Sequence, residues 1–246
     1  MLPLALIAGG AVGLALGGLG GGGSMLAVPA LIYLLRFSPS QATTASLLIV
    51  ATTSLIGLLA HARAGRVRWR TGTLFATAGL PAAAAAGAIS AHLPGALLSA
   101  AFALAAGLAA WRMLAPGPDT VPGTAAGPGK AAAAGSGLGA VTGLLGVGGG
   151  FLTVPALVFV LALPMAEAIG TSLLVISVNS LAALIPRAGG TGAIDWSVVG
   201  PFTGTAVLGA WKGKRWAEKL SDGTVQKIFA IALLAVAALM FVDALR

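Results

Sequence analysis

Gly18-Leu19-Gly20-Gly21-Gly22-Gly23-Ser24-Met25-Leu26-Ala27-Val28-Pro29-Ala30-Leu31 decides how this chain is read, because the pattern occurs twice. The second copy, Leu144-Leu145-Gly146-Val147-Gly148-Gly149-Gly150-Phe151-Leu152-Thr153-Val154-Pro155-Ala156-Leu157, lies 126 residues further on. At that offset Pro29 falls on Pro155, Leu26 on Leu152, and Gly20, Gly22 and Gly23 on Gly146, Gly148 and Gly149. Consecutive glycines break a helix, since each loses more backbone freedom on folding than any other residue. The chain therefore reads as two homologous repeats, each interrupted at the same place.

The surroundings of the two copies set the class. Of 246 residues, 58% are hydrophobic and 8% are charged, and mean hydropathy is +1.00. Soluble domains carry about 25% charged residues, so too little polar surface remains to cover a water-soluble globule. Several apolar runs approach or exceed the ~20 residues that span a bilayer. The expectation is an all-α, multi-pass transmembrane bundle with the lipid bilayer as a partner. The net charge of +8 is read as loop Lys and Arg that set orientation and meet anionic headgroups; no nucleic acid is expected. With no cysteine, disulfides and zinc–thiolate sites are excluded. No cofactor or metal is predicted. Met1 to Gly23 lacks a positive n-region and a small-residue cleavage signal, so it reads as a retained element.

Along the chain the apolar runs are Leu2 to Gly17, Met25 to Leu35, Ala42 to Ala60, Gly72 to Ala91 and Pro94 to Leu114. After a Pro-rich stretch the order repeats: Gly135 to Leu145, Phe151 to Leu163, Ala166 to Pro186, Ser197 to Trp211 and Val225 to Leu245. The predicted organisation is a first repeat over 1–114, a linker over 115–134 and a second repeat over 135–246. Met25 to Leu35 would be about 16 Å long as a helix, half the hydrocarbon thickness. Each glycine-rich unit is then either one interrupted crossing or a hairpin of half-helices. Single crossings give parallel repeats, with eight Lys/Arg on one side and six on the other. Hairpins give inverted repeats with Lys212, Lys214, Arg215, Lys219 and Lys227 on the side of Arg63, Arg66, Arg68 and Arg70, a split of eleven to three. The positive-inside rule favours the second, with both termini outside.

A helix that starts just after such a break presents free N–H groups and the positive end of its dipole. In an inverted pair, Gly22, Gly23 and Ser24 would face Gly148, Gly149 and Gly150 near the midplane, an arrangement suited to an anion. Close helix packing is the plainer use of glycine in a membrane. No Gly-Lys-Ser/Thr follows either run, so they are not nucleotide loops. The next helix of each repeat carries a polar set on one face: Ser46, Thr53 and Ser54 align with Ser172, Asn179 and Ser180, and Thr44 and Thr171 add hydroxyls near the helix starts. Asn179 stands out, because an unpaired amide is costly to bury. Among the carboxylates only Glu167 lies near a helix start beside a break, which makes it the candidate for proton coupling; a plain N-terminal helix charge is its ordinary role. His61 and Arg187 end corresponding helices and are expected to anchor at the interface.

Gly-x-Gly-Gly-Gly-x-Leu-x-Val-Pro-x-Leu, its duplication, and Gly170-Thr171-Ser172-Leu173 after the second copy resemble the TauE/SafE family of membrane transporters over nearly the whole chain. The first copy departs from the pattern with Gly-Gly-Gly-Gly-Ser, and Thr44-Ala45-Ser46-Leu47 stands where the second half has Gly-Thr-Ser-Leu. The resemblance implies movement of sulfite, sulfoacetate or other sulfur-containing or organic anions. The resulting expectation is a secondary transporter of a small anion in the bacterial inner membrane, working by one half rocking against the other. An anion channel and a membrane scaffold subunit without transport activity are the alternatives, and a homo-oligomer is left open. No Ser-His-Asp set, paired aspartates or His-Glu-x-x-His falls in the apolar runs, so an enzyme is not expected.

Overall fold

The computed structural model describes residues 2–20, 24–90, 95–114, 127–145, 150–185 and 194–244. They form helices and connecting turns, with no strand among them. In chain order the helices are α1 (Leu2–Leu19), α2 (Ser24–Pro29), α3 (Pro39–Arg63), α4 (Trp69–Ser90) and α5 (Gly95–Leu114). Then come α6 (Pro128–Leu145), α7 (Gly150–Phe159), α8 (Met165–Leu184), α9 (Trp196–Ala217) and α10 (Asp222–Ala244). Each expected apolar run is found, and both glycine-rich stretches separate a long helix from a short one. Two extents differ. Helix α6 starts at Pro128, inside the stretch expected to be linker, because Pro pre-sets helical φ at a first position and the Ala run after it favours helix. Helix α9 runs on to Ala217 through Lys212, Lys214 and Arg215, good helix formers whose charge suits a C-terminus. The first helix of each repeat, α1 and α6, has 18 residues and is longer than a half-helix.

The duplication is visible in local geometry. After Pro29, which cannot donate a backbone hydrogen bond, a π-helical turn spans Ala30–Leu34. The short arm then ends at Arg36 in the left-handed region, φ 57°, with Phe37 N–H donating to the Leu31 carbonyl at 3.0 Å. The second short arm ends the same way: Ala162 has φ 53° and Leu163 N–H donates to Leu157 at 3.1 Å. A side chain in this region costs roughly 1–2 kcal/mol; the bond back across six residues, which satisfies an orphan carbonyl, offsets it.

Packing joins each repeat to the other. Helix α1 lies along α9, and its repeat counterpart α6 lies along α4, the counterpart of α9. Likewise α3 meets α8, α5 meets α10 and α2 meets α7. Glycines set the closest contacts. A Cβ on Gly9, Gly13 or Gly17 would run into the Phe202, Ala206 or Ala210 carbonyl of α9. One on Gly135 or Gly139 would run into Phe75 or Gly79 of α4. In a bilayer, such backbone approach replaces the hydrophobic drive that lipid cannot supply. Two cores follow, one centred on α1, α2, α3 and α9, the other on α4 to α7 and α10, each borrowing from α8. The packed units are therefore not the sequence halves.

Helices α3 and α8, which correspond in the repeat, run antiparallel: His61 meets Gly170, Gly57 meets Leu173 and Ser54 meets Ser177. The α3–α4 loop and the end of α9 lie at one end of the bundle, where Glu218 pairs with both Arg66 (3.3 Å) and Lys214 (3.4 Å). Three helices, Leu2–Leu19, Gln41–Arg63 and Met165–Leu184, are long and apolar enough to cross a membrane among the described residues. Trp69, Trp111, Trp196, Trp211 and Trp216 are all exposed, as in the aromatic belts at bilayer interfaces.

Candidate functional site

The polar set predicted on α3 and α8 is interior: Ser46, Thr53, Thr171 and Ser172 are buried. Most of these hydroxyls donate into their own helix. Ser46 donates to Thr43 (2.8 Å), Thr53 to Ile49 (2.6 Å) and Ser172 to Ile169 (2.8 Å). Their oxygens keep accepting capacity, but the protons must turn away from the helix before they can meet a ligand. Across the α3–α8 crossing, Ser177 Oγ donates to Ser54 Oγ at 2.9 Å and contacts Leu173 O at 2.7 Å. Hydrogen bonds of this kind average about 0.6 kcal/mol in a bilayer. Thr171 Oγ1 accepts from the Arg68 amide at 3.1 Å and ties the α3–α4 loop to α8.

Asn179 is the unusual member. Its Oδ1 is buried without a hydrogen-bond partner among the described residues. It borders a cavity of about 10 Å³ with Phe75, Gly79, Gly139, Thr142 and Thr153, room for roughly one water. The repeat counterparts of Thr142, Thr153 and Asn179 are Leu16, Ala27 and Thr53, all buried. Two of the three polar positions of the second repeat are thus apolar in the first.

At the glycine breaks, Gly22, Gly23, Gly148 and Gly149 lie outside the described residues. Ser24 opens α2 and Gly150, which is buried, opens α7. Gly20 is described: φ is +66°, and a Cβ there would lie 2.7 Å from Ser172 Oγ and 3.2 Å from Ile169. The end of α1 is therefore pressed against α8 of the other repeat, through one residue of each predicted motif. Short helices α2 and α7 meet one another, α2 packing on α3 and α7 on α8.

Glu167 and His61 exchange their expected surroundings. Glu167 is partly exposed and accepts two hydrogen bonds from Arg68, Nε at 2.7 Å and Nη2 at 2.9 Å. The ion pair holds the Arg68 guanidinium above its ordinary range, chiefly through the side-chain hydrogen bond. In the first repeat the same position is Gln41, whose amide N–H donates to Ser38 Oγ in a capping box. His61, expected at the interface, is 3% exposed. It sits beneath the α3–α4 loop because Gly170 offers no side chain where its Cβ packs. Arg187 lies outside the described residues.

Sequence reasoning overlooked three features. The stripes Gly9-x3-Gly13-x3-Gly17 and Gly135-x3-Gly139-x3-Gly143 repeat at the same 126-residue offset, so the signal was present. Thr142 and Thr153 show as polar departures from the first copy. Ser177 has no such signal, since its counterpart is Ala51.

The chain matches the family described as sulfite exporter TauE/SafE over residues 5–240. Two relatives, from Xylella fastidiosa strain 9a5c and from strain Temecula1 / ATCC 700964, are each named probable membrane transporter protein. Each is 33% identical over 237 residues, covering 93% of this chain and 90% of the relative. No solved structure matches it.

Proposed function

Given that the chain belongs to the TauE/SafE family of membrane transporters, we propose that it is a secondary transporter of a small anion, sulfite or an organosulfonate, in the bacterial inner membrane. The observation that carries this reading is the meeting of α2 and α7, one short helix from each interrupted repeat, with α2 also packed on α3 and α7 on α8, the two helices that bear the buried polar set. Interrupted helices at a repeat interface are where secondary transporters bind their cargo. The amides at Gly22, Gly23, Ser24, Gly148, Gly149 and Gly150 supply the donors, with Ser46, Thr53, Thr171, Ser172 and Asn179 around them.

The antiparallel run of α3 and α8 supports inverted repeats, related by an axis in the membrane plane. Because glycine stripes lock α1 to α9 and α6 to α4, the bodies that rock are these interlocked sets rather than the sequence halves. They move about the α3–α8 crossing, where Ser54 and Ser177 meet. Coupling through Glu167 requires its pair with Arg68 to open.

Purified protein in proteoliposomes tests the reading. Radiolabelled sulfite and methanesulfonate should show saturable counterflow, at least about tenfold over empty vesicles, a span equal to roughly 1.4 kcal/mol. Absence of flux and of binding across a panel of sulfur oxyanions and carboxylates would overturn it, and unitary conductance steps would turn it into a channel.

A further inference from the structure

The last turn of α3 holds a buried titratable group that the transport reading leaves unused. His61 is 3% exposed, and neither ring nitrogen has a hydrogen-bond partner among the described residues. The Gly17 carbonyl at the end of α1 is near the ring without completing a bond to it. A neutral imidazole carries one donor and one acceptor, and both are costly to bury unmet. The place is specific: His61 packs on Gly170, its ring lies by Gly17 of α1, and Gly20, about one turn beyond Gly17, abuts Ser172 at the first break.

Charged groups surround this position unevenly. The α3–α4 loop contributes Arg66 and, beside it, Arg68; α8 contributes Glu167; α9 contributes Lys214; Glu218 follows α9; Arg63 lies on α3 itself. Helix α1 contributes none. Arg68 and Glu167 satisfy each other, and Glu218 is shared by Arg66 and Lys214. A further positive charge at the ring therefore calls for an anion next to it.

We propose that His61 is the proton-binding residue that links anion movement to a proton, a deepening that rests on the transport reading above. A proton taken up on the free imidazole nitrogen makes a cation beside the first glycine break. An anion that parts Gly20 from Ser172, which are in contact here, neutralises it, and each stabilises the other's burial. Linkage makes the effect reciprocal: anion binding promotes protonation by the factor with which protonation promotes binding. Unloading releases both, so anion and proton travel in the same direction.

Proteoliposome flux of methanesulfonate, whose charge is constant across the range, measured from pH 5.5 to 8 tests this. Wild-type flux should fall as pH rises, by up to roughly tenfold per pH unit above the midpoint of protonation, and an inward proton gradient should drive accumulation. His61→Gln should flatten the profile and abolish gradient-driven accumulation, with counterflow slowed but measurable. An unchanged profile and unchanged accumulation in His61→Gln overturn the proposal and leave the transport reading standing. If the wild-type protein exchanges neither methanesulfonate nor sulfite, the transport reading falls and this proposal with it. Should His61→Gln misfold, ¹⁵N-histidine NMR of the His92→Gln protein, which retains His61 as its single histidine, gives the second measurement. Added methanesulfonate should move the imidazole signals toward the protonated form, and no movement overturns the proposal.

Discussion

Arg66 Nη1 lies 3.3 Å from Glu218 Oε1. This contact joins the α3–α4 loop to the end of α9 and places two basic clusters, one from each repeat, at the same end of the bundle. As an exposed ion pair it adds at most about 1 kcal/mol; its value is topological.

The chain has no cysteine, so single cysteines report sidedness directly. Cysteines at Arg66 and at Lys219 should react with a membrane-impermeant maleimide from the same face, and a cysteine at Arg36 from the opposite face. Labelling of positions 66 and 219 from opposite faces would sink the inverted arrangement.

Gly13→Val and Gly139→Val should each destabilise the protein by roughly 1–3 kcal/mol or more, because the added carbons meet the Ala206 and Gly79 carbonyls. Gly107→Ala, where the space is open, should be neutral or gain up to about 1 kcal/mol of helix propensity. Melting midpoints in detergent decide: equal midpoints for all three would show that α1–α9 and α4–α6 are not held by backbone approach.

Gly20→Ala combines an unfavourable positive φ, roughly 1–2 kcal/mol, with a clash against Ser172 Oγ at 2.7 Å. Ser172→Ala removes the clash but leaves the backbone cost. The double variant should therefore be more stable than the sum of the single effects implies, by about 0.5 kcal/mol or more. Strict additivity in a double-mutant cycle would separate Gly20 from Ser172.

Asn179→Leu removes an amide whose Oδ1 has no partner among the described residues, so the melting midpoint should hold or rise. Flux should nonetheless fall by about tenfold, some 1.4 kcal/mol of lost stabilisation. Asn179→Thr, which installs the residue of the first repeat, should retain part of it. Full flux in Asn179→Leu would remove Asn179 from the transport path.

Arg68 is held protonated by its pair with Glu167, whose hydrogen bonds raise it above its ordinary range. A raised folded-state value favours the folded state below the unfolded value and loses that contribution only as pH climbs through the folded one. Between pH 5.5 and 9, Arg68→Gln should therefore shift the melting midpoint by a constant amount. A shift confined to one part of that window would show that another group titrates with the pair.

Much of the fold could be read one stretch at a time. Apolar runs near bilayer length placed the helices, consecutive glycines placed the breaks, and a fixed offset paired Ser46, Thr53 and Ser54 with Ser172, Asn179 and Ser180. All of these are local properties of composition and spacing. Even the caps at Arg36 and Ala162 follow the repeat, although neither residue is the glycine that usually marks such a turn.

What only the tertiary structure decided is which helices meet. A membrane helix is apolar around its circumference, so periodicity does not point to a buried face as it does in water. Nothing along the chain says that α1 pairs with α9 rather than with a neighbour, or that Gly170 clears the space into which His61 packs. Those outcomes depend on backbones separated by more than a hundred residues coming close enough that a backbone carbonyl facing a glycine, and not a side chain, is the surface of contact.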